Sequence, residues 1–139
     1  MRGRRIAFDY GQVRTGVAMC DADGILSSPL CTLETKSKDF LTQVSALLVE
    51  YEPVLIFIGD PLNMAGTIGE SSEKVSYFVA QLQTITSVPI RMVDERLSTV
   101  SAQRKLKDAH VSSRDSKSLI DAMAAVAILE QGLLSEKNQ

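Results

Sequence analysis

Val54-Leu55-Ile56-Phe57-Ile58 is an unbroken apolar run bounded by Pro53 and Gly59. It is strand-long and rich in β-branched and aromatic residues, the pattern of a central strand buried on both faces. Helical patterns lie on either side of it. From Lys38 to Tyr51, Phe40, Leu41, Val44, Leu47 and Leu48 share one face, and Pro53 stops the helix. From about Glu70 to Ile85 the same spacing turns Val75, Phe78, Val79, Leu82 and Ile85 inward. Val88 to Val93 forms the next strand, and Ser98 caps a short helix through Leu106. A polar loop around His110 to Arg114 precedes a last helix from Asp115 to Leu134, with Ile120, Met123, Ala124, Ala127 and Ile128 as its inward stripe.

The first third is built differently. Three strands, Arg4 to Tyr10, Thr15 to Cys20 and Ile25 to Leu33, are joined by tight turns. Asp21-Ala22-Asp23-Gly24 is a turn signal whose Asp-Gly suits a two-residue hairpin bend, and Pro29 marks the third strand as an edge or a bulge. The expected class is α/β: a five-stranded mixed sheet, its first three strands antiparallel, flanked by helices in a single domain over 1–139.

Composition narrows the chemistry. No apolar run reaches the ~18 residues of a membrane span. The basic start, Met1-Arg2-Gly3-Arg4-Arg5, leads into an apolar stretch that is too short for a signal peptide and carries Asp9. A cytoplasmic location without a membrane partner is therefore expected. Cys20 and Cys31 lack ligand spacing and should be reduced, and His110 is the single histidine. Carboxylates are then the plentiful metal ligands, which favours Mg2+ or Mn2+ over zinc. A net charge of −2 gives no overall attraction to nucleic acid. The cations Arg91, Arg96, Arg104, Lys105, Lys107, Arg114 and Lys117, with Arg2, Arg4, Arg5 and Arg14, form either a basic rim around an acidic centre or a solvated mixed-charge surface.

Asp9 ends the first apolar run, where an uncompensated ionised group costs several kcal/mol, about the stability margin of a small domain. Asp60 and Asp94-Glu95 close two further strands, at the sheet end where ligands gather in α/β folds. Asp121 borders the inward stripe of the last helix beside Ala122, Ala124 and Ala125, small residues that let a helix approach a sheet closely. Taken singly, Asp9 is a turn former, Glu95 a helix cap or a partner of Arg96, and Asp121 an early-turn acid favoured by the helix dipole. Taken together, Asp9, Glu95 and Asp121 read as converging ligands of a divalent cation.

Four strings sharpen this reading: Asp9-Tyr10-Gly11-Gln12-Val13-Arg14-Thr15-Gly16-Val17-Ala18, Gly59-Asp60-Pro61-Leu62-Asn63-Met64-Ala65-Gly66-Thr67, Asp94-Glu95-Arg96-Leu97-Ser98-Thr99 and Asp121-Ala122-Met123-Ala124-Ala125-Val126-Ala127-Ile128-Leu129. In order and spacing they resemble the motifs of the YqgF (RuvX) family. Its members are bacterial proteins described as Holliday-junction resolvases and as pre-16S ribosomal RNA nucleases, with an RNase H-like fold. The resemblance covers essentially the whole chain and implies two-metal hydrolysis of phosphodiester bonds. Asp9 would bridge both ions, while Glu95 and Asp121 would each support one. Two positions depart from the pattern: Asp60 stands where Leu is usual, and Ala65 where Asp is common. Asp60 and Asp94 are thus alternates to Glu95 as the second ligand. Arg14 and Arg96 offer guanidinium forks to phosphate, a role that competes with a salt bridge to a site acid. Gly11 and Gly16 let the backbone turn and approach substrate, and Asn63 and Thr67 can donate hydrogen bonds to a nucleic-acid backbone.

The function implied is a nuclease in 5′-end processing of pre-16S rRNA, with ribosomal particles as further partners. Resolution of branched DNA, or non-catalytic nucleic-acid binding in ribosome assembly, are the alternatives. Sugar kinases and actin-like ATPases share the Asp-x-Gly hairpin, but they need two such domains and this chain holds one. Few aromatic residues lie off the core faces, so recognition is expected to target the backbone rather than stack bases. A resolvase cuts two strands as a symmetric dimer, and the sequence leaves monomer and homodimer open.

Overall fold

A computed structural model describes residues 2–61, 69–95 and 114–137. The elements are β1 (Arg5–Tyr10), β2 (Arg14–Cys20), β3 (Ser27–Glu34), α1 (Phe40–Tyr51), β4 (Leu55–Asp60), α2 (Glu70–Ile85), β5 (Ile90–Asp94) and α3 (Arg114–Lys137). One sheet holds the strands in the order β3-β2-β1-β4-β5. The first three pair antiparallel, and β1, β4 and β5 run parallel, as the sequence pattern predicts. The expected short helix from Ser98 to Leu106 lies outside the described residues.

Strand alternation divides the core in two. On one face Ala7, Ala18, Phe57 and Val93 pack against Ala125, Ile128, Leu129 and Leu133 of α3. On the other, Ile6, Phe8, Val17, Ile56 and Ile58 pack against Phe40, Val44 and Leu48 of α1 and Val75, Phe78 and Leu82 of α2. The α1/α2 face carries the aromatic mass, with Tyr10 stacked on Phe78 at 4.5 Å and Phe8 edge-on to it. The α3 face is lined by small residues in β1 and β2, so the helix sits close. At Gly16 the fit is closest: a Cβ there would collide with the Asp121 carbonyl.

Pro29 satisfies both of its expected readings. β3 is an edge strand, and the β2–β3 register shifts between Val17, paired with Cys31, and Ala18, paired with Pro29. The β2–β3 turn corrects the expectation of a two-residue bend, because the strands stop at Cys20 and resume at Ser27. The Asp21 carboxylate accepts the amides of Ile25 at 2.8 Å and Leu26 at 3.3 Å, and Gly24 takes φ +69° to let the chain curl round it. Those amides, Ile25 foremost, hold the Asp21 carboxyl below its ordinary value. Cys20 and Cys31 are free thiols, as expected, and burial pushes both upward in pKa and away from reactivity.

Candidate active site

The same alternation sorts the acids. Asp9 pairs with Gly16 across β1–β2 and shares the face of Ala7, beneath α3. Glu95 follows β5, in phase with Val93 on that face. A Cβ placed on Gly59 would lie 2.6 Å from the Glu95 Oε1 and 2.6 Å from the Ile128 Cδ1. Glu95 therefore fills the space that the missing Gly59 side chain leaves, in the strand next to Asp9. Asp121 enters from above, its backbone seated on Gly16. All three are buried, with 7% of Asp9, 6% of Glu95 and 2% of Asp121 exposed.

Asp60 and Asp94 are paired across β4 and β5, one residue out of phase with this set. Asp60 shares the phase of Ile56 and Ile58, and its Oδ1 accepts the Ser72 hydroxyl of α2 at 3.0 Å. Asp94 shares the phase of Ile90. The two alternates thus do not join Asp9; Glu95 is the acid on its face.

Arg14 also lies in phase with Gly16, and its Nε donates to the Asp121 Oδ2 at 2.5 Å. Of the two roles expected for this arginine, the salt bridge is the one seen. Of the two glycines, Gly16 is buried and Gly11 is half-buried. Gly11 clears the Arg14 carbonyl within the hairpin, and Gly16 lies under α3 rather than at a surface open to substrate. Arg96, Asn63 and Thr67 fall outside the described residues.

Of the cations that offered either a basic rim or a solvated surface, those at the N-terminus lie away from the acids, and Arg104, Lys105 and Lys107 fall outside the described residues. Arg5 is buried at the opposite end of β1 from Asp9 and paired with Glu136, and Arg2 meets Asp23 at that same end. Arg4 lies over the Tyr51 ring, 5.8 Å from its centroid. Gly59 is the position that reading the sequence missed. A glycine inside a run of bulky strand residues marks a close approach, here by an acid side chain.

The donor set suits a hard divalent cation, since the three buried groups offer only carboxylate oxygens. Among the described residues no three acids are gathered into a finished cation cage. The Asp121 carboxylate is instead engaged by Arg14.

The fold and this carboxylate face define the class as an RNase H-like α/β protein. A solved neighbour, T. thermophilus RuvC in complex with a Holliday junction substrate, superposes with a TM-score of 0.59 at 13% identity. The alignment covers 97% of this chain and 96% of RuvC. Residues 3–135 match the RuvX family, described as Holliday junction resolvase, and the chain belongs to that family. A relative from Streptomyces coelicolor, named "Putative pre-16S rRNA nuclease", is 42% identical over 98% of this chain and 83% of its own length. One of the same name from Mycobacterium ulcerans is 42% identical over 95% of this chain and 79% of its own length.

Proposed function

We propose that the chain is a metal-dependent nuclease that processes the 5′ end of precursor 16S rRNA. The observation that carries this reading is the placement of Asp9, Glu95 and Asp121, buried on one face where β1 and β5 end. The names of the relatives from S. coelicolor and M. ulcerans support the substrate. Asp9 is the central ligand, flanked by Glu95 through the Gly59 gap and by Asp121 across Gly16. Mg2+ or Mn2+ held there would supply a bound water of lowered pKa and charge for the departing oxygen. Without a cation, buried carboxylates oppose one another's ionisation, so the residues gain most when one is bound. Arg14 holds the Asp121 side chain in orientation meanwhile. Cytoplasmic action on ribosomal particles goes with this reading.

A second reading, cleavage of branched DNA, is favoured by the description of the RuvX family. One assay separates the two: a ribosomal RNA precursor and a four-way DNA junction offered side by side with Mg2+ or Mn2+, and Asp9→Asn as control. The expected result is cation-dependent cutting of the RNA, reduced on the order of 10³-fold or more in the variant, as when several kcal/mol of transition-state stabilisation is removed. Full activity of Asp9→Asn would overturn the catalytic reading.

A further inference from the structure

Beside Arg14, at the open edge of the sheet, lies a groove of about 530 Å³ lined by Val13, Arg14, Thr32, Glu34, Lys36 and Ser37, with Leu33 in its wall. Its volume falls within the roughly 300–1,000 Å³ of ordinary ligand sites. We propose that this groove seats a phosphate of the substrate's sugar–phosphate backbone, with Lys36 as its standing charge and Arg14 shared between that phosphate and Asp121. The proposal rests on the nuclease reading for the identity of the ligand.

Three observations support it. First, the walls are held in place: the Thr35 amide donates to the Val13 carbonyl at 3.0 Å, the Thr15 and Thr35 hydroxyls meet at 2.7 Å, and the Ser37 amide donates to the Glu34 carbonyl at 3.2 Å. The Ser37 Oγ accepts the Asp39 amide at 3.2 Å, which leaves its own proton available to a ligand. Second, the charges favour an anion. Glu34, opposite Arg14 in the ladder, offsets one of the two cations, and Lys36 is exposed with no ion pair among the described residues. Third, the Arg14 guanidinium borders both places at once. Its Nε is spent on Asp121, while 28% of the side chain stays exposed, and a planar fork with five donors can serve a second oxyanion. A phosphate drawing the guanidinium outward would loosen its hold on Asp121 and favour a cation there, so backbone and cation would bind with positive coupling.

The test uses the full chain and two equilibrium measurements that need no turnover. In EDTA, fluorescence anisotropy follows binding of 12-nucleotide RNA and DNA strands across a salt series. Lys36→Ala should bind about three- to tenfold more weakly, with the salt slope reduced by about 0.7, the value for one lost contact to a single strand. Equal weakening for RNA and DNA marks the shared backbone as the ligand, whereas weakening for RNA alone assigns the groove to the RNA strand. In the second measurement Mn2+ is titrated into the protein without nucleic acid. Arg14→Ala should take up Mn2+ about tenfold more tightly than the wild type, Arg14→Lys should fall between them, and Lys36→Ala should be unchanged. Wild-type strand affinity in Lys36→Ala overturns the groove, and unchanged or weaker Mn2+ binding in a folded Arg14→Ala overturns the sharing. Neither result depends on cleavage, so failure of the nuclease reading in the Asp9→Asn assay is seen separately.

Discussion

Among the described residues, two arginine–carboxylate pairs, Arg5–Glu136 and Arg14–Asp121, tie the sheet to α3, and they are built differently. Arg5 grips Glu136 through two nitrogens, Nε to Oε2 at 3.2 Å and Nη2 to Oε1 at 3.4 Å, and its Nη1 donates to the Gly3 carbonyl at 2.7 Å. Both partners are largely shielded, with side chains 7% and 13% exposed. Arg14 touches Asp121 through Nε alone, and its own side chain is 28% exposed while the acid is 2% exposed. A fork fully used and covered on both sides is a structural fixture. A fork partly used, with the cation at the surface and the anion inside, is a pair built to be exchanged.

Arg5→Ala should cost about 3 kcal/mol of stability, the scale for removing one partner of a buried pair, and divalent cation should not restore it in urea titrations. Gly59→Ala acts at the other end. Its Cβ must push Glu95 or Ile128 aside, so cleavage should drop about 10²-fold through misplacement of the acid, with only about 1–3 kcal/mol lost in the same unfolding experiment. If cleavage in Gly59→Ala equals that of the wild type, Glu95 is not held by that gap.

Arg14→Ala should be milder than Arg5→Ala, costing about 1–2 kcal/mol in EDTA, and Mn2+ should recover that loss by binding the native state. A loss that Mn2+ leaves untouched would make the two pairs equivalent. The smallest effect belongs to Asp21, whose turn lies at the Arg5 end of the sheet. Its carboxyl lies below the ordinary value of 3.8 in the fold, so its contribution is complete above that pH and fades as pH falls through the lowered value. The difference in Tm between wild type and Asp21→Ala should therefore be constant near neutrality and shrink below about pH 3.8.

Much of this arrangement was legible in the chain because it rests on local periodicity. The run from Val54 to Ile58, the helical faces at Phe40-Val44-Leu48 and Val75-Phe78-Leu82, and the edge signature of Pro29 each report their own surroundings. The turn after Cys20 was misjudged because the Asp21 side chain, rather than the Asp23-Gly24 dipeptide, organises it. The sequence favours Glu95 over Asp60 and Asp94, but the side of the sheet each acid takes has no local signature. That side depends on which face α3 covers and on the register of β4 beside β1, both set by contacts between distant segments. The same holds for Arg5 and Glu136, 131 residues apart, whose pairing no local pattern announces.

The alternation of β4 has a consequence for how such a site can change over generations. Gly59 and Asp60 are neighbours in sequence but belong to opposite sides of the sheet. Loss of a single codon upstream in β4 would slide Asp60 into the slot of Gly59, beside Asp9, and would close the space Glu95 now fills. The chain thus carries a second acidic arrangement one frame-preserving deletion away from the present one, and the two exclude each other by volume.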